Sequence, residues 1–488
     1  MAVSAAKFDV VILGASGFTG KQVLKEALKF LNSNHFTSLA IAGRDPSKLA
    51  QTLKWAAQPN PPPQIPILAA DTADPPSLRS LCDQTRLLLN CVGPFRRHGE
   101  PVVAACVACG CDYLDITGES EFMERVEREY HAEATKKGSL VVSACGFDSV
   151  PAEMGFLFHS RQWVGPARPN RVGAYLSLES DKRIVGNFGT FESAVMAVKD
   201  LKEMERSRVT RVIPETEFLR RELRRLQPLH DCGTTGWNRW RWRWRNTTPP
   251  RESEEPQSLI PGPPPKGEII EHQKKIGLWG VTLPSADATL VGRTLSTLTE
   301  SPHGLPGLNE NAEMVEKRKA YWTSVKPAHF GVKIGSKSLL HVFGFILIGI
   351  IIGVLGRTSF GRWLLLKYPS IFTFGGFSKN GPSEEEIASA SFKMWFVGHG
   401  FSNESLAAQG NTKPDMEIIT RVMGPEMGYV TTPIIMVQCA LVLHGQRKNL
   451  PKGGVYTPGI VFGPTDLQER LQQNGISFDV ISKSSISS

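Results

Sequence analysis

The first 150 residues alternate short apolar runs with stretches of helical spacing. Phe8–Leu13 is a β-branched apolar run, which is typical of a parallel strand buried on both faces. Similar runs predict further strands at 38–42, 65–70, 87–92, 113–116 and 140–144. Helical spacing predicts helices at 21–31, 101–108 and 122–137. This repeated strand-helix order predicts an α/β fold, a Rossmann-type doubly wound parallel sheet.

A glycine-rich turn follows the first predicted strand directly. Its residues are Gly14, Ala15, Ser16, Gly17, Phe18, Thr19 and Gly20, a GxxGxxG variant of the dinucleotide-binding loop. In such loops one glycine permits the tight turn, one removes the side chain where the pyrophosphate approaches, and one lets the helix pack on the strand. The helix N-terminus then offers free amides to the phosphates. The loop therefore predicts a nicotinamide dinucleotide site, with a ligand-free glycine turn as the alternative.

Further cofactor contacts are expected beyond the ends of the next strands. Arg44 stands where an NAD-binding enzyme would carry an acid, so its guanidinium favours the 2′-phosphate of NADP over NAD. A solvated arginine is the alternative interpretation. Asp71 is placed either to accept a hydrogen bond from the adenine amine or to cap a helix. The fourth strand leads to residues expected to border the nicotinamide ribose: Asn90, Val92, Gly93 and Pro94.

Three acidic residues beyond strand ends are the candidate catalytic groups: Asp115, Glu119 and Asp148. The cofactor carries out hydride transfer, so the protein needs only to align the reactants, exclude water and supply a proton. Glu119 or Asp148 fits the proton donor if burial raises its pKa. Each of the three acids could instead cap a helix or tie a loop. No metal site is predicted, because the eight cysteines are scattered and their one local cluster lacks a fourth ligand.

An apolar segment at 338–378 departs from the pattern of a soluble enzyme. Residues 338–356 contain no formal charge, and a second apolar run follows, interrupted by Lys367 and Pro369. Aromatic and cationic residues such as Trp363, Tyr368 and Arg357 suit a membrane interface. We expect a membrane-associating anchor that enters the bilayer from one side. A buried core helix and a single span, which needs ~20 residues, are the alternatives.

The positive charge is concentrated in one part of the chain. Lysine and arginine outnumber the acids 56 to 47, and much of the excess lies between Arg220 and Arg251. The stretch 237–245 alternates tryptophan with arginine inside a low-complexity insert at 232–268. We expect a disordered loop there, with contact to an anionic membrane surface as the alternative. No nucleic-acid-binding motif accompanies the charge, so nucleic acid is not an expected partner.

Motifs spread along the chain resemble the saccharopine dehydrogenase-like oxidoreductases, in particular their lipid-droplet or membrane-associated members, which are similar to bacterial trans-acting enoyl reductases. The matching stretches are 14–20, 42–44, 90–95, 98–101, 115–119, 146–153, 424–433 and 453–459. The resemblance implies an NADP-binding Rossmann domain at 1–150 and an α+β substrate and dimerisation domain at 151–425. It also implies a C-terminal segment, 426–488, that returns to the Rossmann domain.

Together these features predict an NADP-dependent oxidoreductase, with NAD the less favoured cofactor. We expect a reductase of a lipid or other apolar substrate, linked to lipid or glycolipid metabolism. The predicted location is the cytosolic side of a lipid droplet, endoplasmic reticulum or plasma membrane, with mitochondrial association and a homodimer left open. A strand beginning at Phe8 leaves no room for a signal peptide, so secretion is not expected. The alternatives are a surface protein with a sensory or vestigial nucleotide site and a soluble saccharopine dehydrogenase.

Overall fold

The computed structural model describes residues 8–31, 38–198, 260–261, 268–282, 285–403, 405–406 and 413–486. The tryptophan and arginine stretch at 237–245 lies outside the described residues, as does the insert at 232–268 apart from residues 260, 261 and 268. Within the described part, the chain forms two seven-stranded sheets and a short two-stranded one.

The strands, in chain order, are β1 Phe8–Leu13, β2 Leu39–Gly43, β3 Ile67–Ala69, β4 Thr85–Asn90, β5 Asp112–Asp115, β6 Leu140–Val142, β7 Arg168–Ser180, β8 Gly186–Asn187, β9 Ile270–Gln273, β10 Leu278–Val281, β11 His329–Ser336, β12 Phe377–Ser378, β13 Ala390–Phe401, β14 Met416–Pro425, β15 Gly454–Tyr456 and β16 Ser477–Ser485. The first sheet has the order β15-β6-β5-β4-β1-β2-β3, and all of its neighbours pair in parallel. The predicted Rossmann-type parallel sheet is confirmed.

The helices are α1 Phe18–Ala27, α2 Pro46–Ala57, α3 Pro75–Cys82, α4 Phe95–Cys109, α5 Ser120–Lys137, α6 Val150–Ser160, α7 Phe188–Val198, α8 Ala286–Glu300, α9 Ala312–Ser324, α10 Leu339–Leu355, α11 Ser359–Lys367, α12 Pro369–Phe372, α13 Glu384–Ser389, α14 Thr432–Gln446, α15 Pro458–Phe462 and α16 Leu467–Gln473. A π-helix, Met427–Thr431, leads into α14, and 3-10 turns follow α1 and α14. The sequence predicted that α4 begins at Pro101. The helix begins six residues earlier, at Phe95, and Pro101 lies inside it.

The second sheet is mixed, with the order β16-β14-β13-β7-β11-β10-β9. Only β7 and β11 pair in parallel, while the other neighbours are antiparallel. Its inner face shares one hydrophobic core with the first sheet, because Ile12 and Phe396 belong to the same buried cluster. The chain beyond residue 150 therefore packs directly onto the nucleotide-binding half.

The C-terminal segment 426–488 serves both sheets. Helix α14 is buried and packs against α1, and β15 extends the first sheet next to β6. Arg447, just after α14, donates to the Asp112 carboxylate at 2.7 Å on the Nε side. β16, however, pairs with β14 in the second sheet. The expectation that the whole segment returns to the Rossmann domain was therefore wrong for its last strand, since β14 offers an open antiparallel edge.

The apolar segment forms a surface and not a core. In α10 only Val342 is buried, while Leu340, Phe343, Leu347, Ile350 and Val354 are between 47% and 77% exposed. Phe360, Trp363, Ile371 and Phe374, which follow α10 in the chain, are also exposed, and we refer to these nine residues together as the apolar face. The alternative of a buried core helix is wrong for α10. Its 17 residues give a length of ~26 Å, which is short of a ~30 Å hydrocarbon core.

Another helical stretch is long and apolar enough to cross a membrane. Met427–Asn449 has 23 residues and is the single such helix within the described ranges. Most of it, 78% of its apolar window, is buried inside the protein. Because α14 within this stretch packs against α1 in the shared core, its apolar composition is that of a core helix.

Candidate functional site

Two of the three loop glycines are required by the fold itself. Gly14 has a φ of +82°, and a Cβ there would lie 2.6 Å from Val92 Cγ2. A Cβ on Gly20 would lie 2.2 Å from the Gly14 carbonyl oxygen. Larger residues at either position would force the loop and α1 away from the sheet. These glycines set the tight turn and the close packing of helix on strand.

Gly17 is glycine for a different reason. Its φ of −71° suits any residue, and a Cβ there would meet only the Gly14 oxygen, at 3.2 Å. Gly17 is exposed and begins α1, whose first turn has no side-chain cap and no acidic residue. The first amides of a helix lack intrahelical acceptors, so they remain available to an anion. The open space at Gly17 and the uncapped amides fit the pyrophosphate of a dinucleotide.

The other loop residues support this cradle. Ala15 is buried, and Ser16, Phe18 and Thr19 are half-buried. The Phe18 ring contacts Tyr429 with 4.7 Å between centroids. Since Tyr429 precedes α14, the C-terminal segment holds the loop in place from outside the first sheet.

Arg44 and Asp71 lie after β2 and β3, on the same carboxyl edge as the loop. Arg44 is exposed, and no hydrogen bond or ion pair engages it within the described part of the chain, whereas its neighbour Asp45 caps α2. An exposed guanidinium without a partner suits a 2′-phosphate. Asp71 instead accepts a 3.0 Å hydrogen bond from the Ala73 amide in the turn before α3. Its contact with adenine stays a prediction.

The turn after β4 is shaped by Asn90. This buried side chain donates to the Tyr113 hydroxyl at 3.1 Å and accepts from the Val92 amide at 3.0 Å. These bonds hold Val92 against Gly14, while Gly93 and Pro94 lead into α4. Asn90 therefore contributes to the site by fixing the turn after β4, which lies against the glycine-rich loop.

Asp115 joins the ends of β5 and β6. Its buried carboxylate accepts from the Thr117 amide at 3.0 Å, the Ala144 amide at 2.8 Å and the Ser143 hydroxyl at 3.0 Å. Burial raises the pKa of Asp115 to about 6, and these hydrogen bonds oppose the rise. The contacts give Asp115 a structural role at the edge where the cofactor is expected.

Glu119 caps α4, which is the structural alternative that the sequence left open beside a role as proton donor. Its carboxylate accepts from the Phe95 and Arg96 amides at 3.0 and 2.9 Å and from the Arg96 side chain at 3.0 Å. The Ser193 hydroxyl adds a fourth bond at 2.8 Å. Both carboxylate oxygens are therefore engaged by donors from α4 and α7. Sequence reasoning missed this because Glu119 and α4 are not adjacent in the chain.

Asp148 is the candidate acid that remains available. Its side chain reaches solvent and has no hydrogen-bond partner in the part of the chain described. The surrounding protein nevertheless removes enough hydration to raise the pKa of this carboxyl. A Cβ on Gly118 would lie 2.6 Å from Asp148 Oδ2, so the carboxyl lies directly against the turn after β5. Asp148 thus combines access from solvent with a tendency to hold a proton.

Two further acids lie on α6 and α8, which pack against each other. Glu153 on α6 is buried and accepts from Ser149 at 2.7 Å, Thr294 at 2.6 Å and the Gly459 amide at 3.1 Å. Asp287, in the first turn of α8, is also buried, and burial together with the charges of Asp148 and Glu153 raises its pKa to about 8. Sequence reasoning did not single out Asp287, which is more than 130 residues from Asp148 in the chain. The sequence signal that could have identified Asp287 is an N-cap serine, Ser285, followed by an acid in the first turn of the helix.

Helix α7 connects this edge to the apolar segment. On one side, Ser193 bonds to Glu119 and Glu192 lies 3.8 Å from the Arg97 guanidinium. On the other side, Phe191 and Val195 are buried in a cluster with Leu365, against which α10 and α11 residues pack: Ile351, Ile352, Leu355 and Leu366. One short helix therefore contacts both the cofactor edge and the segment that carries the apolar face.

Comparisons with known proteins agree with this geometry. The family model of the saccharopine dehydrogenase NADP binding domain matches residues 10–142. A probable mitochondrial saccharopine dehydrogenase-like oxidoreductase of Arabidopsis thaliana is 58% identical over 98% of this chain and 97% of its own length. A lipid droplet localized protein of Caenorhabditis elegans is 28% identical over 98% of this chain and 99% of its own. A candidate trans-acting enoyl reductase of Mycobacterium tuberculosis is 35% identical over 34% of this chain and 39% of its own.

Proposed function

Since the chain belongs to the saccharopine dehydrogenase-like oxidoreductases and carries their NADP binding domain, we propose that it is an NADP(H)-dependent reductase of an apolar, lipid-like substrate. The substrate is taken from a membrane or lipid-droplet surface on the cytosolic side. Reduced cofactor supplies the hydride, and the protein supplies alignment, exclusion of water and a proton.

Each step of this chemistry has residues in a suitable place. The α1 amides and Gly17 suit the pyrophosphate, and Arg44 suits the 2′-phosphate. The turn held by Asn90 borders the expected nicotinamide position. Asp148, which reaches solvent at the same edge, suits delivery of a proton to the substrate.

The observation that carries the proposal is the position of α7. Its Ser193 and Glu192 contact residues beside the cofactor edge, while its Phe191 and Val195 pack with the segment of the apolar face. Exposed contiguous apolar surface marks a contact with a membrane or another apolar partner. A substrate held in lipid would therefore reach the cofactor by a short route along α7. A carboxylate-rich amino acid such as saccharopine would gain nothing from this apolar route.

The names of the relatives support the same assignment. The nematode relative is named for lipid droplets and the mycobacterial one for enoyl reduction. The plant relative is named for mitochondria, so the surface used in a cell is to be determined by localisation of this protein itself. Reduction of a conjugated double bond or a ketone in a lipid is the reaction class that we assign.

The test is NADPH oxidation by the purified protein with phosphatidylcholine vesicles that contain an enone or keto lipid. Within a series of short, water-soluble enones assayed without vesicles, we expect KM to fall about fourfold per added methylene, because each CH₂ moved from water into the protein contributes ~0.8 kcal/mol. Gly17→Asp places a carboxylate in the pyrophosphate space and is expected to abolish both binding and turnover.

Three results separate the alternatives. Tight NADPH binding without oxidation by any lipid would favour a nucleotide-sensing surface protein. Turnover with saccharopine in lipid-free buffer would favour soluble amino-acid chemistry. A KM that does not respond to chain length would contradict an apolar substrate.

A further inference from the structure

The segment that carries the apolar face has formal charge of one sign only. Residues 338–378 contain no aspartate or glutamate, whereas Arg357, Arg362 and Lys367 lie among the apolar residues. Arg357 and Lys367 are exposed and Arg362 is half-buried. None of the three forms an ion pair within the described ranges of the chain. Protein surfaces usually mix the two signs of charge, so an apolar surface accompanied by cations alone indicates an anionic partner.

Helix α10 lies flat on the protein. Ile351, Ile352 and Leu355 pack against the cluster that holds α7, while the stripe from Leu340 to Val354 is exposed. A helix that is packed on one side and apolar on the other suits the plane of a lipid surface, with its ends at the level of the headgroups. Arg357 follows the end of this helix closely and reaches that level.

The corner between α10 and α11 is tightly built. Gly361 approaches α10 so closely that a Cβ there would lie 2.1 Å from the carbonyl oxygen of the last α10 residue. Thr358 caps α11 by accepting from the Gly361 amide at 3.0 Å, and the Arg362 guanidinium donates to the Gly356 carbonyl oxygen at 2.9 Å. Arg357 therefore projects from a fixed turn, and its own guanidinium has no hydrogen-bond partner in the described part of the chain.

Helix α11 carries an ordered row of two aromatic rings and a cation. The Phe360 and Trp363 rings stack with 5.7 Å between their centroids, and Lys367 Nζ lies 4.6 Å from the Trp363 centroid. Their spacing of three and four residues places them on one side of the helix. Tryptophan rings settle at the boundary between acyl chains and headgroups. An ammonium group held over such a ring therefore reaches the headgroup phosphates, while its stem stays with the apolar layer.

We propose that the corner between α10 and α11 is a docking site for a bilayer that carries anionic phospholipids, with Arg357 and Lys367 contacting the headgroups. This proposal rests on the lipid-surface contact of the proposed function and names the lipid that the surface prefers. The apolar side chains gain equally from any phospholipid, whereas the cations gain from net negative charge at the surface. A surface of phosphatidylcholine alone is therefore bound less tightly.

The test is flotation of the full-length protein with vesicles of phosphatidylcholine alone and with vesicles of equal phosphatidylcholine and phosphatidylserine. Near an anionic surface each cation raises the partition coefficient by a factor of ~5. Arg357→Gln combined with Lys367→Gln should therefore bind the anionic vesicles ~25-fold less tightly than the wild type, and the zwitterionic vesicles equally well. Every variant keeps the basic stretch between Arg220 and Arg251, so its contribution cancels in this ratio.

The matched control removes two exposed cations far from the corner, at the end of α5. Lys136→Gln combined with Lys137→Gln should bind both kinds of vesicle like the wild type. Arg357→Lys combined with Lys367→Arg keeps the charge and should keep the preference for anionic vesicles. In ~1 M salt, where the Debye length is ~3 Å, the wild type and the charge-removal variant at the corner should bind alike.

The outcomes separate this proposal from the reductase function, because flotation needs neither substrate nor cofactor. Equal binding of the wild type and the corner variant to anionic vesicles would overturn the docking site, as would an equal loss in the α5 control. A loss of the same size on both kinds of vesicle would show an apolar contact without charge selection and would also overturn it. The predicted losses without NADPH oxidation on any lipid would contradict the reductase and leave the docking site standing.

Discussion

The exposed apolar stripe on α10 allows a direct test of surface binding. Leu340, Phe343, Leu347, Ile350 and Val354 recur at alternating intervals of three and four residues, so they share one side of the helix. We consider the double variant Leu347→Ser and Ile350→Ser at the centre of the stripe. About half of each side chain is buried in the fold, so the change should also lower the free energy of unfolding by ~2–3 kcal/mol, and urea unfolding shows whether the variant stays folded.

The magnitude follows from the exposed area that lipid would cover. Leu347 is 47% exposed and Ile350 is 56% exposed. Full burial of such a side chain contributes ~2–3 kcal/mol, so the exposed halves contribute ~1–1.5 kcal/mol each. The double variant should lose ~2–3 kcal/mol of partitioning free energy, which corresponds to a partition coefficient roughly 30- to 150-fold lower.

Flotation with phosphatidylcholine vesicles and with phospholipid-coated triacylglycerol droplets measures this coefficient. The matched control is Val480→Ser and Ile481→Ser on β16, where the side chains are 45% and 44% exposed but lie far along the chain from α10. An equal loss in both double variants, or no loss in either, would refute the reasoning. A stripe with this spacing could also pair two α10 helices in a homodimer. Sedimentation velocity without lipid measures the oligomeric state and so distinguishes this pairing from lipid binding.

Three further predictions concern single residues. Arg44→Gln should raise the Kd for NADPH about 10- to 100-fold in a fluorescence titration and leave NADH unchanged, because a charged hydrogen bond to the 2′-phosphate contributes ~1.5–3 kcal/mol; equal effects on both cofactors would contradict it. Glu119→Gln should lower the free energy of unfolding by ~1–2 kcal/mol in urea, as expected for a lost helix cap, while NADPH binding persists; a stable variant without turnover would restore Glu119 as a catalytic candidate. Burial lowers the pKa of His159 from its ordinary 6.5 to about 3, so the unfolded chain binds a proton that the folded one does not. Between pH 7 and 5 the wild type should therefore lose ~2 kcal/mol more stability than His159→Gln, and a pH-independent difference would show that His159 binds its proton equally in both states.

The nucleotide-binding half could be predicted from local pattern alone. A run of apolar residues that is buried on both faces, followed by a glycine turn and a helix, has few other structural solutions. The predicted strands differ from the observed ones by no more than a few residues, and the Gly14 to Gly20 loop lies where the sequence indicated. The local pattern did not predict β15, the strand that the C-terminal segment adds to the first sheet. It has only three residues, which are too few to show a periodic signal.

The roles of the acids depend on contacts between distant segments. Glu119 directly precedes α5 but does not cap it, and only the folded chain brings its carboxylate to the first amides of α4. Asp287 lies after the low-complexity insert, and only the packing of α8 buries its carboxyl. Burial and like charges change a pKa, and neither can be seen in a linear motif. The sequence therefore predicted which edge of the sheet holds the chemistry, but not which acids are free to take part.

The double attachment of α7 has a kinetic consequence. An enzyme that collects its substrate through one surface-contacting helix responds to the density of substrate within the lipid layer and not to its total amount in the tube. Adding inert phosphatidylcholine to a fixed quantity of reactive lipid should therefore slow each bound molecule in proportion to the dilution. If the rate instead follows the bulk concentration of the substrate, α7 connects the apolar face and the cofactor edge without carrying substrate between them.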